Sequence, residues 1–184
     1  MKVCCAVPSF LIFREFSVSI GAATVQQQRA FEEIEAYFRA PVTVEIYGER
    51  QSGKSAFVQK ILRSNPDLRS VLIITKDVGV SLENTVVYAV TSRKEVASVL
   101  HSVISGFCDI RPLFLCIDTL ATVFDAEEDR AGDEEVYGLL GQLNALGVRV
   151  IVVSSTCSSF VRRRNEIYAA SFCFRKEDRR RLTM

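Results

Sequence analysis

The sequence predicts an α/β fold of three layers, with a mostly parallel central sheet covered by helices on both faces. Three observations carry this. Six short runs, most of them nearly continuous in apolar or β-branched residues, recur along the chain, and helical patterns separate them. A glycine-containing octet, Gly48 to Ser55, joins one such run directly to one such helix. Finally, 184 residues with 48% apolar content suffice to bury both faces of a sheet in one domain.

The strand candidates are Val42 to Tyr47, Val71 to Thr75, Val86 to Val90, Leu113 to Asp118, Val148 to Ser154 and Tyr168 to Phe174. Between them, helices declare themselves by caps and spacing. Thr24 with Gln27 forms a capping box ahead of Phe31, Ile34, Tyr37 and Phe38, and that helix ends before Pro41. Ser92 with Glu95 repeats the device before Val96, Val99, Leu100, Val103 and Ile104, and Gly106 stands where a C-terminal cap belongs. A third helix puts Val136, Leu139, Leu140 and Leu143 on one side and stops at Gly147. No repeat or low-complexity linker divides the chain, so residues 1–184 are read as one domain: an apolar extension over 1–15 and a core over 16–184.

The net charge of +1 excludes a global field directed at nucleic acid or membrane. Its distribution is uneven: residues 162–181 hold eight Arg or Lys against three acids, leaving fifteen cations against nineteen acids elsewhere. Residues 125–135 hold seven acids and one Arg, and read as a solvated surface loop or a site for a basic partner. The six cysteines include no C-x-x-C pair, which disfavours zinc and disulfide scaffolds; Cys116 and Cys173 fall inside strand-like runs as small hydrophobes. The opening Val3 to Phe13 is apolar, but Pro8 interrupts it and Arg14 and Glu15 close it, unlike a secretory leader. No run reaches the length of a membrane span, so an intracellular protein with no membrane partner is expected.

Gly48-Glu49-Arg50-Gln51-Ser52-Gly53-Lys54-Ser55 satisfies the phosphate-loop pattern in full. Glycines allow a loop whose successive N–H groups turn inward, and the following helix adds its positive dipole end, so together they form an anion nest. Lys54 is expected to reach the β- and γ-phosphates of ATP, and the Ser55 hydroxyl to ligate Mg²⁺. The run Leu113 to Asp118, an apolar strand ending in an acid, fits the Walker B role, with Asp118 holding the Mg²⁺ shell from the neighbouring part of the sheet. A buried strand can also end in a helix-capping Asp; the phosphate loop is what favours the metal role.

Taken in order, VTVEIYGERQSGKS, LFLCIDTLATVF and YAASFCFRKEDRRR resemble the ATPase core of the RecA and RadA recombinases, and most of all the eukaryotic recombinase paralogues. A Glu before the last strand positions, here Glu45, a small hydroxyl residue after the Walker B Asp, and a basic turn after the late strand are features of that family. The resemblance spans residues 16–184 and implies a three-layer RecA-like P-loop core with an ATP site shared between protomers. It implies an accessory subunit that binds ATP and Mg²⁺, hydrolyses ATP weakly in a DNA-dependent way, and joins other recombinase-family subunits in homologous recombination and repair. A nuclear location follows, or the cytoplasm in a prokaryote. The alternatives are a non-catalytic assembly subunit with a structural nucleotide site, and an unrelated small P-loop ATPase or kinase.

Several positions depart from the family pattern. Asp77 stands where the family carries the longer catalytic Glu after the second core strand; with Lys54 it is the expected catalytic pair, and its shorter reach implies slow turnover. Ser155-Thr156 replaces the polar pair that relays nucleotide state to DNA. The first DNA-facing loop is matched by the acidic 125–135 segment, which repels a phosphate backbone, whereas the second carries Arg162, Arg163 and Arg164. Those three arginines are the expected DNA contacts, weak and directed at single strands. The family's N-terminal helical domain has no counterpart in this sequence.

Overall fold

Strands covered on both faces need apolar residues at successive positions, and the six apolar runs form six strands, each within two residues of its predicted span. The structure, a computed structural model, describes residues 32, 40–75, 82–106, 113–119, 130–155 and 168–174. In chain order these form β1 (Thr43–Gly48), α1 (Lys54–Ser64), β2 (Ser70–Ile74), β3 (Thr85–Ala89), α2 (Arg93–Ser105), β4 (Phe114–Asp118), α3 (Arg130–Ala145), β5 (Arg149–Ser155) and β6 (Ala170–Phe174). The segment 24–38, except Glu32, and the apolar opening 3–13 lie outside the described residues.

The strands form one sheet in the order β3-β2-β4-β5-β1-β6, and every pairing is parallel. All C-terminal strand ends therefore share one edge. Side chains alternate between faces: Val44, Ile46, Ile151, Val153 and Phe172 pack with Phe57, Val58, Ile61 and Leu62 of α1. On the other face, Val71, Ile73, Leu115, Ile117, Val150 and Val152 meet α2 and α3. The predicted stripe of α3, Val136, Leu139, Leu140 and Leu143, is buried in full. At about 1.5–3 kcal/mol for each such side chain, this double burial is the main stabilising term. Cys116 and Cys173 are buried within it, and burial pushes the Cys116 thiol well above its usual range, against reactivity. No helix among the described residues is long and apolar enough to cross a membrane.

The caps of α2 follow the sequence. Ser92 accepts from the Glu95 N–H at 3.3 Å, and the chain leaves through Gly106 at φ 73°. The Glu95 carboxylate reaches one residue farther back than a capping box requires, to the Thr91 N–H at 2.6 Å, which holds its pKa below the usual carboxylate range. One expectation is corrected. The acidic segment 125–135 is not a loop throughout, because α3 begins at Arg130, six residues ahead of its first buried apolar residue. Glu134 and Glu135 of the opening turns are exposed, and polar residues there leave no apolar period in the sequence. Carboxylates near a helix N-terminus also suit its dipole. Residues 125–129 lie outside the described residues.

A polar residue interrupts the core at Glu45, which is 1% exposed in the middle of β1. Its carboxylate accepts hydroxyl hydrogen bonds from Ser154 of β5 and, at 2.9 Å, from Ser171 of β6, so one side chain spans three strands. Glu45→Ala leaves both buried hydroxyls without this acceptor and is expected to cost about 1–3 kcal/mol or more, with Glu45→Gln costing less because it keeps an acceptor and the shape. Urea denaturation of the two variants checks this; equal losses refute the acceptor role.

Candidate functional site

The loop from β1 to α1 leaves the sheet at its C-terminal edge, the edge where open parallel sheets bind ligands. Gln51 and Gly53 both take positive φ, 61° and 88°, which folds the chain back over the strand end. Within the octet, Gly48, Ser52 and Lys54 are buried, whereas Glu49, Arg50, Gln51 and Ser55 are exposed. The Lys54 ammonium donates to the carbonyls of Gly48 at 2.9 Å and Glu49 at 2.6 Å, and lies 3.4 Å from Ser52 Oγ. Burial lowers its pKa; the nearby Asp118, Cys173 and Glu49 oppose that shift. Gly53 caps α1 without a side-chain hydrogen bond, and no acid lies in the first turn. Its dipole thus adds positive potential beside Lys54.

Strand β4 lies in the neighbouring part of the sheet but does not pair with β1: β5 lies between them. Two strand spacings amount to about 10 Å, and the first turn of α1 closes this gap by carrying Ser55 back across β5. Ser55 Oγ donates to Asp118 Oδ1 at 3.1 Å, and Thr119 Oγ1 donates to the same oxygen at 2.9 Å. The Asp118 carbonyl also accepts the Thr75 N–H at 3.1 Å, anchoring the end of β4 to that of β2. With its proton committed to Asp118, Ser55 presents lone pairs to an incoming cation. The donor set suits a hard ion such as Mg²⁺ bound mostly by water and phosphate oxygen, and Lys54 with the helix N-terminus suits a di- or triphosphate.

The structure therefore gathers all eight octet residues and Asp118 at one edge. Asp77, Arg162, Arg163 and Arg164 lie outside the described residues, as do Thr156 and the basic turn 175–181. Two residues come to the site without being singled out from sequence. Thr119 was visible only as a small hydroxyl residue after the acid, and Thr75 contributes a main-chain N–H that no pattern reports.

No protein-family model matches this chain, and no curated protein does. Its structure is similar to the crystal structure of the RadB recombinase, with TM-score 0.51 and 17% sequence identity over 66% of this chain and 66% of that one. The chain thus spans just under two thirds of the length of that recombinase. At this identity the likeness establishes a fold: an α/β, RecA-type recombinase-like core.

The lowered pKa of Lys54 sets a pH dependence. A phosphate held here would favour the ammonium, so anion affinity would be complete below the pKa of the free loop and would fall as pH rises through it. Phosphate or ATP affinity, titrated from about pH 7 to about pH 10, is expected to decline earlier than an ordinary lysine would allow, and Lys54→Arg is expected to remove that decline. An alkaline decline that Lys54→Arg leaves unchanged contradicts the assignment.

Proposed function

We propose that this chain binds ATP with Mg²⁺ through Gly48 to Ser55, hydrolyses it slowly, and acts as an accessory recombinase subunit in homologous recombination and DNA repair. One observation carries the reading: a buried lysine and a Ser55–Asp118 hydrogen bond meet at the mouth of a phosphate loop on a recombinase-like fold. Mg²⁺ would neutralise charge on the β- and γ-phosphates. Lys54 would compensate the same oxygens from the protein side, while Asp118, which also accepts from Thr119, holds the Ser55 proton and would leave the Ser55 lone pairs to the metal. Asp77 is the proposed base; it follows Ile74 by three residues, and Ile74 pairs with Asp118 at the C-terminal ends of β2 and β4. The proposed partners are other recombinase-family subunits in the nucleus and single-stranded DNA, held weakly by Arg162, Arg163 and Arg164.

Calorimetry tests the nucleotide site. Lys54→Ala is expected to weaken ATP·Mg²⁺ binding by roughly tenfold or more, since a charge-assisted contact is lost; equal affinity in both proteins rejects the reading. Phosphate release is expected to be slow, to fall further in Asp118→Ala and to rise in Asp77→Glu. Binding with no turnover in either wild type or Asp77→Glu identifies a structural nucleotide in an assembly subunit. For DNA, each phosphate contact adds about one unit to the slope of log affinity against log salt. Replacing Arg162, Arg163 and Arg164 by Ala should flatten that slope in an anisotropy titration, and an unchanged slope removes these arginines from the interface.

A further inference from the structure

Position 48 is restricted to glycine by the protein itself, apart from any phosphate. Gly48 ends β1 at φ 146°, and a Cβ there would stand 2.0 Å from the carbonyl oxygen of Phe174 and 2.8 Å from its carbon. The end of β6 fills that space. The same Phe174 carbonyl accepts the Glu49 N–H at 3.3 Å. Gly48 and Glu49 are also the two residues whose carbonyls hold the Lys54 ammonium. On its side-chain end, the Phe174 ring meets Phe57 edge to face, with centroids 5.1 Å apart and planes at 67°. Phe57 lies in the first turn of α1, and its N–H bonds the Gly53 carbonyl at 2.9 Å. One buried residue thus touches the loop where it leaves the sheet and the helix where it begins.

We propose that Phe174 is a positioning residue of the phosphate loop. Its carbonyl fixes the entry at Gly48 and Glu49, its ring fixes the first turn of α1, and strand β6 thereby sets the span across which Lys54 and the loop amides close on a phosphate. This rests on the nucleotide reading above for its effect on binding, but not for its effect on the loop. Phe172 provides the comparison: it shares the strand, the face and the burial of Phe174, yet pairs with Ile46, two residues before the loop.

The test compares Phe174→Leu with Phe172→Leu in the full chain by thermal unfolding, hydrogen exchange at the amides of residues 48–55, and ATP·Mg²⁺ affinity. Both substitutions delete a buried ring and are expected to lower stability. Only Phe174→Leu is expected to speed exchange in the loop and to weaken ATP by roughly three- to tenfold, the value of an edge-to-face pair. Phe57→Leu removes the other ring and is expected to reproduce the loop signature; it carries the test if Phe174→Leu does not fold. Loop exchange that is the same in Phe174→Leu, Phe57→Leu and Phe172→Leu overturns the proposal. If wild type binds no ATP, the nucleotide reading fails, and the exchange comparison still decides whether Phe174 holds the loop.

Discussion

Strand β1 is hydrogen-bonded on both sides, to β5 through residues 43–48 and to β6 through residues 44–48, and the loop that follows takes its position from those two ladders. Gly48 sits level with Ser155 on one side and Phe174 on the other, so the last residue before the loop is held by main chain on both flanks. Glu45, three residues earlier, links the same three strands through side chains. Buried groups of this kind are stable only when their hydrogen bonds are satisfied, and here both flanking hydroxyls turn toward one carboxylate. The rigidity that a phosphate nest needs is thus built below the loop rather than within it.

Strand order decides how the two halves of the site meet. With β5 between β1 and β4, the carboxylate of Asp118 cannot face the loop across adjacent strands. The first turn of α1 bridges the distance, which is why Ser55, and not Gly48 or Ser52, contacts Asp118. Lys54 comes from the same turn but folds under the loop, where two carbonyls compensate the burial of its charge. A hydroxyl facing outward beside a carboxylate, and a cation folded inward against two loop carbonyls, are opposite presentations from consecutive residues. The 100° step of a helix makes both possible.

The strands were legible because burial on both faces demands apolar residues at successive positions, a signal that reads the same in any order of strands. The octet was legible because loop, lysine and hydroxyl are contiguous in the chain. The opening turns of α3 were not, since an exposed turn such as Glu134 and Glu135 carries no apolar period. Phe174 was not either: in the sequence it is one more apolar residue of a late strand, and nothing marks the carbonyl that closes off Gly48.

By itself the sequence determined the layered α/β class, the glycine-containing loop that joins β1 to α1 and the caps of α2, all of which depend on neighbours within a few positions. Tertiary structure alone decided that β5 separates β1 from β4, that Ser55 reaches Asp118 from 63 residues away, and that β6 braces the loop. The physical reason is that parallel strands are paired by crossovers whose order the local pattern does not encode. Main-chain contacts such as the Phe174 carbonyl on Gly48 leave no side-chain signature of their own.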